Sequence, residues 1–531
     1  MIVNVREGKL EGTTNKSVLT GKEYYSFLGI RYAKPPIGDL RFQPPVPIEK
    51  WNGILDAKNE GSPCIQYTNE NIDIIGSEDC LFLNIHTPEA ILLLLPSKIK
   101  IPKPVMVFIH GGAFVNGSGG SKTLGPDYLI IHDVVYVTLN YRLHSLGFLN
   151  LGISECSGNC GLKDQLLALK WIKENINQFG GDRNNITIFG ESAGAISVHL
   201  HMLSPLSKGI FSKTIAQSGT ALVSFSLNEN PTETAFKLGR ELDFVGNDPK
   251  EFVEFLKNQS AENLLKAAEK TQRLYCKELI GTASPLIFAP SIEVIKNDAF
   301  LPDHPKNLLK TAEPLPFLVG LNDKEGRLIY SVQSLQEDFS IVIKQNIPCH
   351  YSKIKELSDK VQKFYFGDKP ICSETDDEIS NLYTDLYFLN LYESFQYITK
   401  SNFPVYIYEF SFYGKFNVFS QRFMKNATTG ASHADELPYL FYSNKFCKNI
   451  SEIKEPEKTV INNICSMWTN FAKTGNPTDG MKDVEWKPST FDNPRYLQIN
   501  KDLTLKEGKI FEKRFSFLKN IYEFATEYPP K

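Results

Sequence analysis

The run Ile186 to Phe189 passes without a break into Gly190-Glu191-Ser192-Ala193-Gly194 and then into the helix-forming stretch Ile196 to Leu203. A strand, a very tight turn and a helix in that order leave a chain few folds. The turn closes only where side chains are missing, which is why glycines flank the serine. It would lift the Ser192 hydroxyl above a sheet, at a helix N-terminus whose dipole favours developing negative charge. The five letters alone occur by chance in many proteins, with an idle serine in a structural turn. The strand before and the helix after favour a nucleophile.

Other short apolar runs repeat the pattern. Val105 to Ile109 ends in His110-Gly111-Gly112, Val134 to Leu139 follows, and Phe317 to Val319 and Val405 to Tyr408 come later. Such uninterrupted runs predict strands buried on both faces. Leu162 to Phe179 reads as an amphipathic helix between the second strand and Ile186. Strands alternating with helices predict an α/β fold with a large, mostly parallel, twisted central sheet flanked by helices. Ligands of such sheets bind beyond the carboxyl ends of the strands. Length alone would allow about three or four domains. No linker, charge block or repeat divides the 531 residues, so one domain over 1–531 with long insertions is expected.

A serine nucleophile in acyl transfer needs backbone N–H donors for the tetrahedral oxyanion. Ala193, just after the serine, supplies one, and the loop from His110 to Phe114 follows a strand as a second source should. In this strand–turn–helix setting the order is serine, acid, histidine. Of the nine histidines, only His350 and His433 lie well beyond an acid placed after Ser192. His350 leads into a helix-like stretch and reads as a surface residue. His433, in the small-residue loop from Thr429, suits a general base. For the acid, Asp323 and Glu325 both follow the strand at Phe317. Either carboxylate could hold the imidazole tautomer and offset its charge.

Composition removes several alternatives. The net charge of −3, with 58 basic residues spread along the chain, speaks against a nucleic-acid partner. The longest pure apolar run, Ala90 to Leu95, is far short of a membrane span, and the N-terminus has no signal-peptide pattern. The nine cysteines form no CxxC and have no histidines at zinc spacing, so neither a metal nor a cofactor is expected. Six glycosylation triplets, at Asn15, Asn116, Asn185, Asn258, Asn426 and Asn449, matter only on a secretory route.

Gly29 to Phe42, Ser77 to Asn84, Phe189 to Gly194 and Trp468 to Pro477 together resemble the signatures of the type-B carboxylesterase/cholinesterase family, over nearly the whole chain. Gly430 to Leu437, followed by Tyr439 to Phe441, most resembles insect detoxification-type esterases. The resemblance implies the α/β-hydrolase fold and carboxylic-ester hydrolysis through an acyl-serine. It puts the acid at Glu325 and the oxyanion donors at Gly112, Ala113 and Ala193. Ala113 stands where many members have glycine, so its methyl narrows the pocket. The resemblance also implies a Cys64–Cys80 disulfide and two structural ion pairs, Arg41 with Glu78 and Arg142 with Asp164.

Departures from the family narrow the substrate. No tryptophan lies between residues 65 and 79 to hold a quaternary ammonium, which disfavours choline esters. Glu191 stands where juvenile-hormone esterases usually have glutamine. Phe225 falls where the family lines its acyl pocket with an aromatic, so Glu191 and Phe225 are candidate pocket residues. The expectation is hydrolysis of small-to-medium xenobiotic or dietary esters, with organophosphate-type inhibitors labelling Ser192. The alternatives are a slow-turnover scavenger and a non-catalytic binding protein on the same fold. The visible N-terminus implies the cytoplasm, and the disulfide and glycosylation triplets imply secretion if the start is a mature one. Oligomeric state is left open.

Overall fold

The computed structural model describes residues 1–527, apart from 69–72, 90–100, 224, 279–285, 314, 329–331, 401–403, 424–428, 448–449 and 451–452. The apolar stretch Ala90 to Leu95 and the triplets at Asn426 and Asn449 therefore lie outside the described residues.

An 11-stranded sheet runs through the molecule. Its strands in chain order are β1 (Thr13–Lys16), β2 (Glu23–Arg31), β3 (Phe82–Thr87), β4 (Lys103–Ile109), β5 (Val135–Leu139), β6 (Gly181–Glu191), β7 (Lys213–Gln217), β8 (Phe317–Asn322), β9 (Val405–Phe410), β10 (Arg495–Ile499) and β11 (Leu503–Glu507). In space they lie in the order β11-β10-β9-β8-β7-β6-β4-β5-β3-β2-β1. The stretch from β5 to β10 is parallel, while β1, β2, β3 and β11 pair antiparallel at the two sides. The mostly parallel α/β sheet read from the sequence is therefore present.

Successive strand residues point to opposite faces, and each face has its own core. Val105, Val107 and Ile109 of β4 pack in one buried cluster, and Met106 and Phe108 pack in the other. Helices cover both faces, as a parallel sheet with no solvated side requires. Four of them bear on the site: α1 (Cys160–Asn175), α2 (Ala193–Leu203), α3 (Asp376–Thr399) and α4 (Glu457–Thr474). No helix of the described residues is long and apolar enough to cross a membrane.

Several strands run further than their apolar cores. β6 starts at Gly181, β8 continues to Asn322, and β9 continues through Glu409 to Phe410. Their polar ends are tolerated inside the sheet because each has a partner, as when Gln498 donates to Glu409 at 2.8 Å. The predicted helix at Leu162 starts earlier, at Cys160, and its last turn, Ile176–Phe179, tightens to a 3-10 turn before Gly180.

Cys64 and Cys80 are joined by a disulfide. Arg41 forks onto Glu78 at 2.7 and 2.6 Å and also donates to the carbonyls of Leu256, Lys257 and Gln259. The Arg142 guanidinium pairs with Asp164 at 2.8 and 2.7 Å, with both side chains buried. Both pairs join distant segments of scaffold, as the resemblance implied. Of the glycosylation triplets, Asn258 is exposed. Asn185 is held between Lys213 and the carbonyl of Lys473.

Candidate active site

β6 ends at Glu191, and α2 begins at Ala193. Ser192 between them adopts φ 57° and ψ −123°, a strained conformation for any residue with a side chain. Its N–H donates to the carbonyl of Gln217 at 2.8 Å, which ties the turn to the end of β7. The flanking glycines are required by contact. A Cβ on Gly194 would lie 2.0 Å from the carbonyl oxygen of Ile109, and one on Gly190 would lie 2.6 Å from the same atom. The helix could not follow the strand so closely with any side chain there.

The loop after β4 lies against this turn. A Cβ on Gly111 would stand 2.7 Å from Glu191 Oε2 and 3.1 Å from Ser192 Cβ. Gly112, Ala113 and Phe114 all have positive φ, at 102°, 55° and 60°. Among the described residues, the N–H groups of Gly112, Ala113 and Ala193 have no acceptor within the protein. His110 braces the loop: its ring stacks on Tyr141 at 4.4 Å, and its Nδ1 contacts the Gly111 carbonyl oxygen at 2.8 Å. Burial pushes its pKa down to about 4, so it is a neutral spacer at ordinary pH.

Glu325 follows β8 and is fully buried. Its Oε1 accepts from the Ser218 hydroxyl at 2.5 Å and from the Asn322 N–H at 2.8 Å, while Oε2 meets His433 Nδ1 at 2.5 Å. The other ring nitrogen, Nε2, lies 3.0 Å from Glu191 Oε1. Burial disfavours the imidazolium, but the Glu191 and Glu325 carboxylates outweigh it and hold the His433 pKa well above the ordinary histidine value. The histidine expected to be a base is thus in contact with the residue preceding Ser192.

The structure separates the two acid candidates by what they touch. Glu325 meets the imidazole, and Asp323 turns to the backbone, accepting the Ala431 N–H at 2.7 Å. Burial pushes the Asp323 pKa up to about 7. His350 lies apart, capping the turn Tyr351–Lys353 beside exposed Tyr351. Phe225 is half-buried and packs on the larger core cluster, in the loop that follows Gly219. A Cβ on Gly219 would lie 2.6 Å from the Ser192 carbonyl oxygen.

Sequence reasoning missed a polar layer beneath these residues. Fully buried Glu436 accepts from Gln217 at 2.9 Å and from Asn322 at 2.6 Å, and Trp468 of α4 donates to Gln217 at 3.0 Å. Burial and the nearby Glu191 charge raise the Glu436 pKa to about 8. Only its place three residues after His433 hinted at this. Among the described residues, no three His, Cys, Asp or Glu side chains cluster as metal ligands would.

A serine on a strained strand–helix turn, a carboxylate–imidazole pair touching the residue before it and a glycine loop with unused N–H groups make a serine-hydrolase type of site on the α/β-hydrolase fold. Comparison with known proteins gives the same class. The model of the carboxylesterase family matches residues 1–518, and the chain belongs to that family and is a carboxylesterase. Esterase E4 of Myzus persicae is 33% identical over 550 residues, covering 99% of this chain and 95% of E4. The para-nitrobenzyl esterase of Bacillus subtilis is 34% identical and covers 97% of each chain. The crystal structure of juvenile hormone esterase from Manduca sexta, with OTFP covalently attached, superposes with a TM-score of 0.82 at 29% identity, covering 98% of this chain and 99% of that one.

Proposed function

We propose that the carboxylesterase uses Ser192 as nucleophile, His433 as general base and Glu325 as the carboxylate that orients it. Gly112, Ala113 and Ala193 form the oxyanion hole. Ser192 Oγ attacks the ester carbonyl carbon as its proton passes to His433 Nε2. Nδ1 keeps its proton on Glu325, so Nε2 is the nitrogen that takes the serine's proton once the ring is neutral. The oxyanion rests on the three N–H groups until the C–O bond breaks and the alcohol leaves with the proton from His433. Water then attacks the acyl-serine, again giving its proton to His433, and the acid departs.

The observation that carries this reading is the Glu325–His433 pair at 2.5 Å, with Nε2 of the same ring 3.0 Å from the residue preceding Ser192. Small-to-medium esters of xenobiotic or dietary origin are the proposed substrates, with Glu191 and Phe225 bordering the acyl pocket. Organophosphates would phosphorylate Ser192. The test is steady-state hydrolysis of p-nitrophenyl esters from acetate to decanoate by wild type and Ser192→Ala. Sustained turnover in wild type, reduced at least about a thousandfold by the substitution, is expected. Equal rates in both proteins would remove Ser192 from the mechanism.

The other reading of the same site is a scavenger that is acylated but deacylates slowly; both half-reactions need a neutral His433, so turnover is what separates the two. A burst that stops near one equivalent would select it over the esterase with full turnover.

A further inference from the structure

We propose that Asp323 and Arg327, two residues either side of Glu325, are positioning residues that clamp the His433 loop and so set the distance between acid and base. This rests on the triad proposed above.

The need for a clamp follows from the chain path. Glu325 sits close behind β8, but His433 comes more than twenty residues after the end of β9 at Phe410. Among the described residues of this long connection no strand fixes the base, and its alignment depends on what grips the loop. The grip is on the backbone. Asp323 Oδ1 accepts the Ala431 N–H at 2.7 Å, and the Lys324 N–H donates to the Ala431 carbonyl at 2.9 Å. Arg327 Nη1 donates to the carbonyls of Thr429 at 2.5 Å and Gly430 at 3.3 Å. Gly430 is what lets the two loops touch, because a Cβ there would lie 2.5 Å from Lys324 Cγ and 2.7 Å from Asp323 Oδ2.

The clamp is itself anchored. The Arg327 side chain is 1% exposed, and its Nε and Nη2 reach Asp376 Oδ2 at 3.1 and 2.8 Å. Asp376 opens α3, where a carboxylate also complements the helix dipole. The same helix holds the acid loop, since the Gly326 N–H donates to Thr384 Oγ1 at 2.9 Å. Both loops are thus bolted to one long helix, two turns apart. A buried ion pair is a poor source of stability, but a planar fork that binds a carboxylate and two carbonyls together is a good source of alignment. Lysine cannot reproduce that geometry.

The test compares Asp323→Ala, Asp323→Asn and Arg327→Lys with wild type, and includes Ser192→Ala and His433→Ala. Each is followed by kcat and KM on a p-nitrophenyl ester, by the pH profile of kcat/KM, and by the low-field proton resonance of the His433 Nδ1–H. Misalignment of the base costs rate more than binding, so Asp323→Ala and Arg327→Lys should lose about ten- to a hundredfold in kcat at nearly constant KM. Their acid limb should move to lower pH as the imidazolium loses its close carboxylate, and the low-field resonance should shift upfield. Asp323→Asn keeps an oxygen for the Ala431 N–H, so it should restore most of the rate and the resonance. The Asp323 pair keeps the test open if Arg327→Lys does not fold. Folded Asp323→Ala with wild-type kcat, acid limb and resonance would overturn the clamp, even if less stable. Activity surviving in Ser192→Ala or His433→Ala would overturn the triad first, and the clamp with it.

Discussion

His433 sits between two carboxylates, Glu325 on Nδ1 and Glu191 on Nε2. Orienting the ring needs only one. The second acts on charge, because it adds to the field that favours the imidazolium. A general base must be neutral to take a proton, so kcat/KM should fall with decreasing pH from above the range of an ordinary histidine. Removing the Glu191 charge lowers the His433 pKa, so Glu191→Gln should move the acid limb of kcat/KM to lower pH. A limb that stays in place would mean that Glu191 is screened in the working enzyme. Residue by residue, the sequence was uneven. Ser192 and His433 could be singled out by motif, order and setting. Asp323 and Glu325 could not be told apart by chemistry, because the choice depends on which carboxylate the strand end turns toward the ring.

At the scale of the element, the strand–turn–helix unit stores its geometry in close contact. Gly194 lies so near β4 that no side chain fits, and Ser192 holds a strained φ. Gly194→Ala should therefore push α2 away from Ile109 and cost about 1–3 kcal/mol, as overpacking does. The loss would be read as a lower urea midpoint. Activity should fall further than stability, because the Ala193 N–H and Ser192 move with the helix. A fully active, equally stable variant would show that the unit can relax without disturbing the site. The sequence read this unit well because all its determinants are local: a β-rich run, glycines at fixed offsets and a helix former. The strand ends were less legible, since Asn322, Glu191 and Glu409 owe their place in strands to partners on neighbouring strands and on the loop around His433.

Across the whole molecule, burial of carboxyl groups beneath the site couples stability to pH. Burial raises Glu436 to about 8 and Asp323 to about 7, so the folded protein keeps protons there that the unfolded chain would release above the ordinary carboxylate range. A raised carboxyl pKa favours the fold at low pH, and that advantage is lost as pH rises through the folded value. The raised His433 acts with the same sign, since its contribution is full below the unfolded histidine value of about 6.5 and disappears as pH rises through its folded pKa. The melting temperature should therefore decline from about pH 6.5 to 8.5. Glu436→Gln, which has no proton to lose, should flatten the decline. An unchanged slope in that variant would place the coupling elsewhere. The window excludes buried histidines such as His199 and His201, held near 3 by burial, whose unfolded forms are already mostly neutral there.

The sequence by itself determined what depends on neighbours along the chain: the α/β alternation, the serine turn, the glycine loop after β4 and, through resemblance, the family. It also narrowed the candidate base to His433, because order along the chain is a one-dimensional property. The tertiary structure decided what depends on approach through space. Glu325 rather than Asp323 meets the imidazole, Glu191 faces its other nitrogen, and Arg327 reaches from Asp376 to the backbone of the His433 loop. These contacts join residues tens to hundreds of positions apart. They form at a distance set by packed strands and helices, and no local pattern encodes that distance.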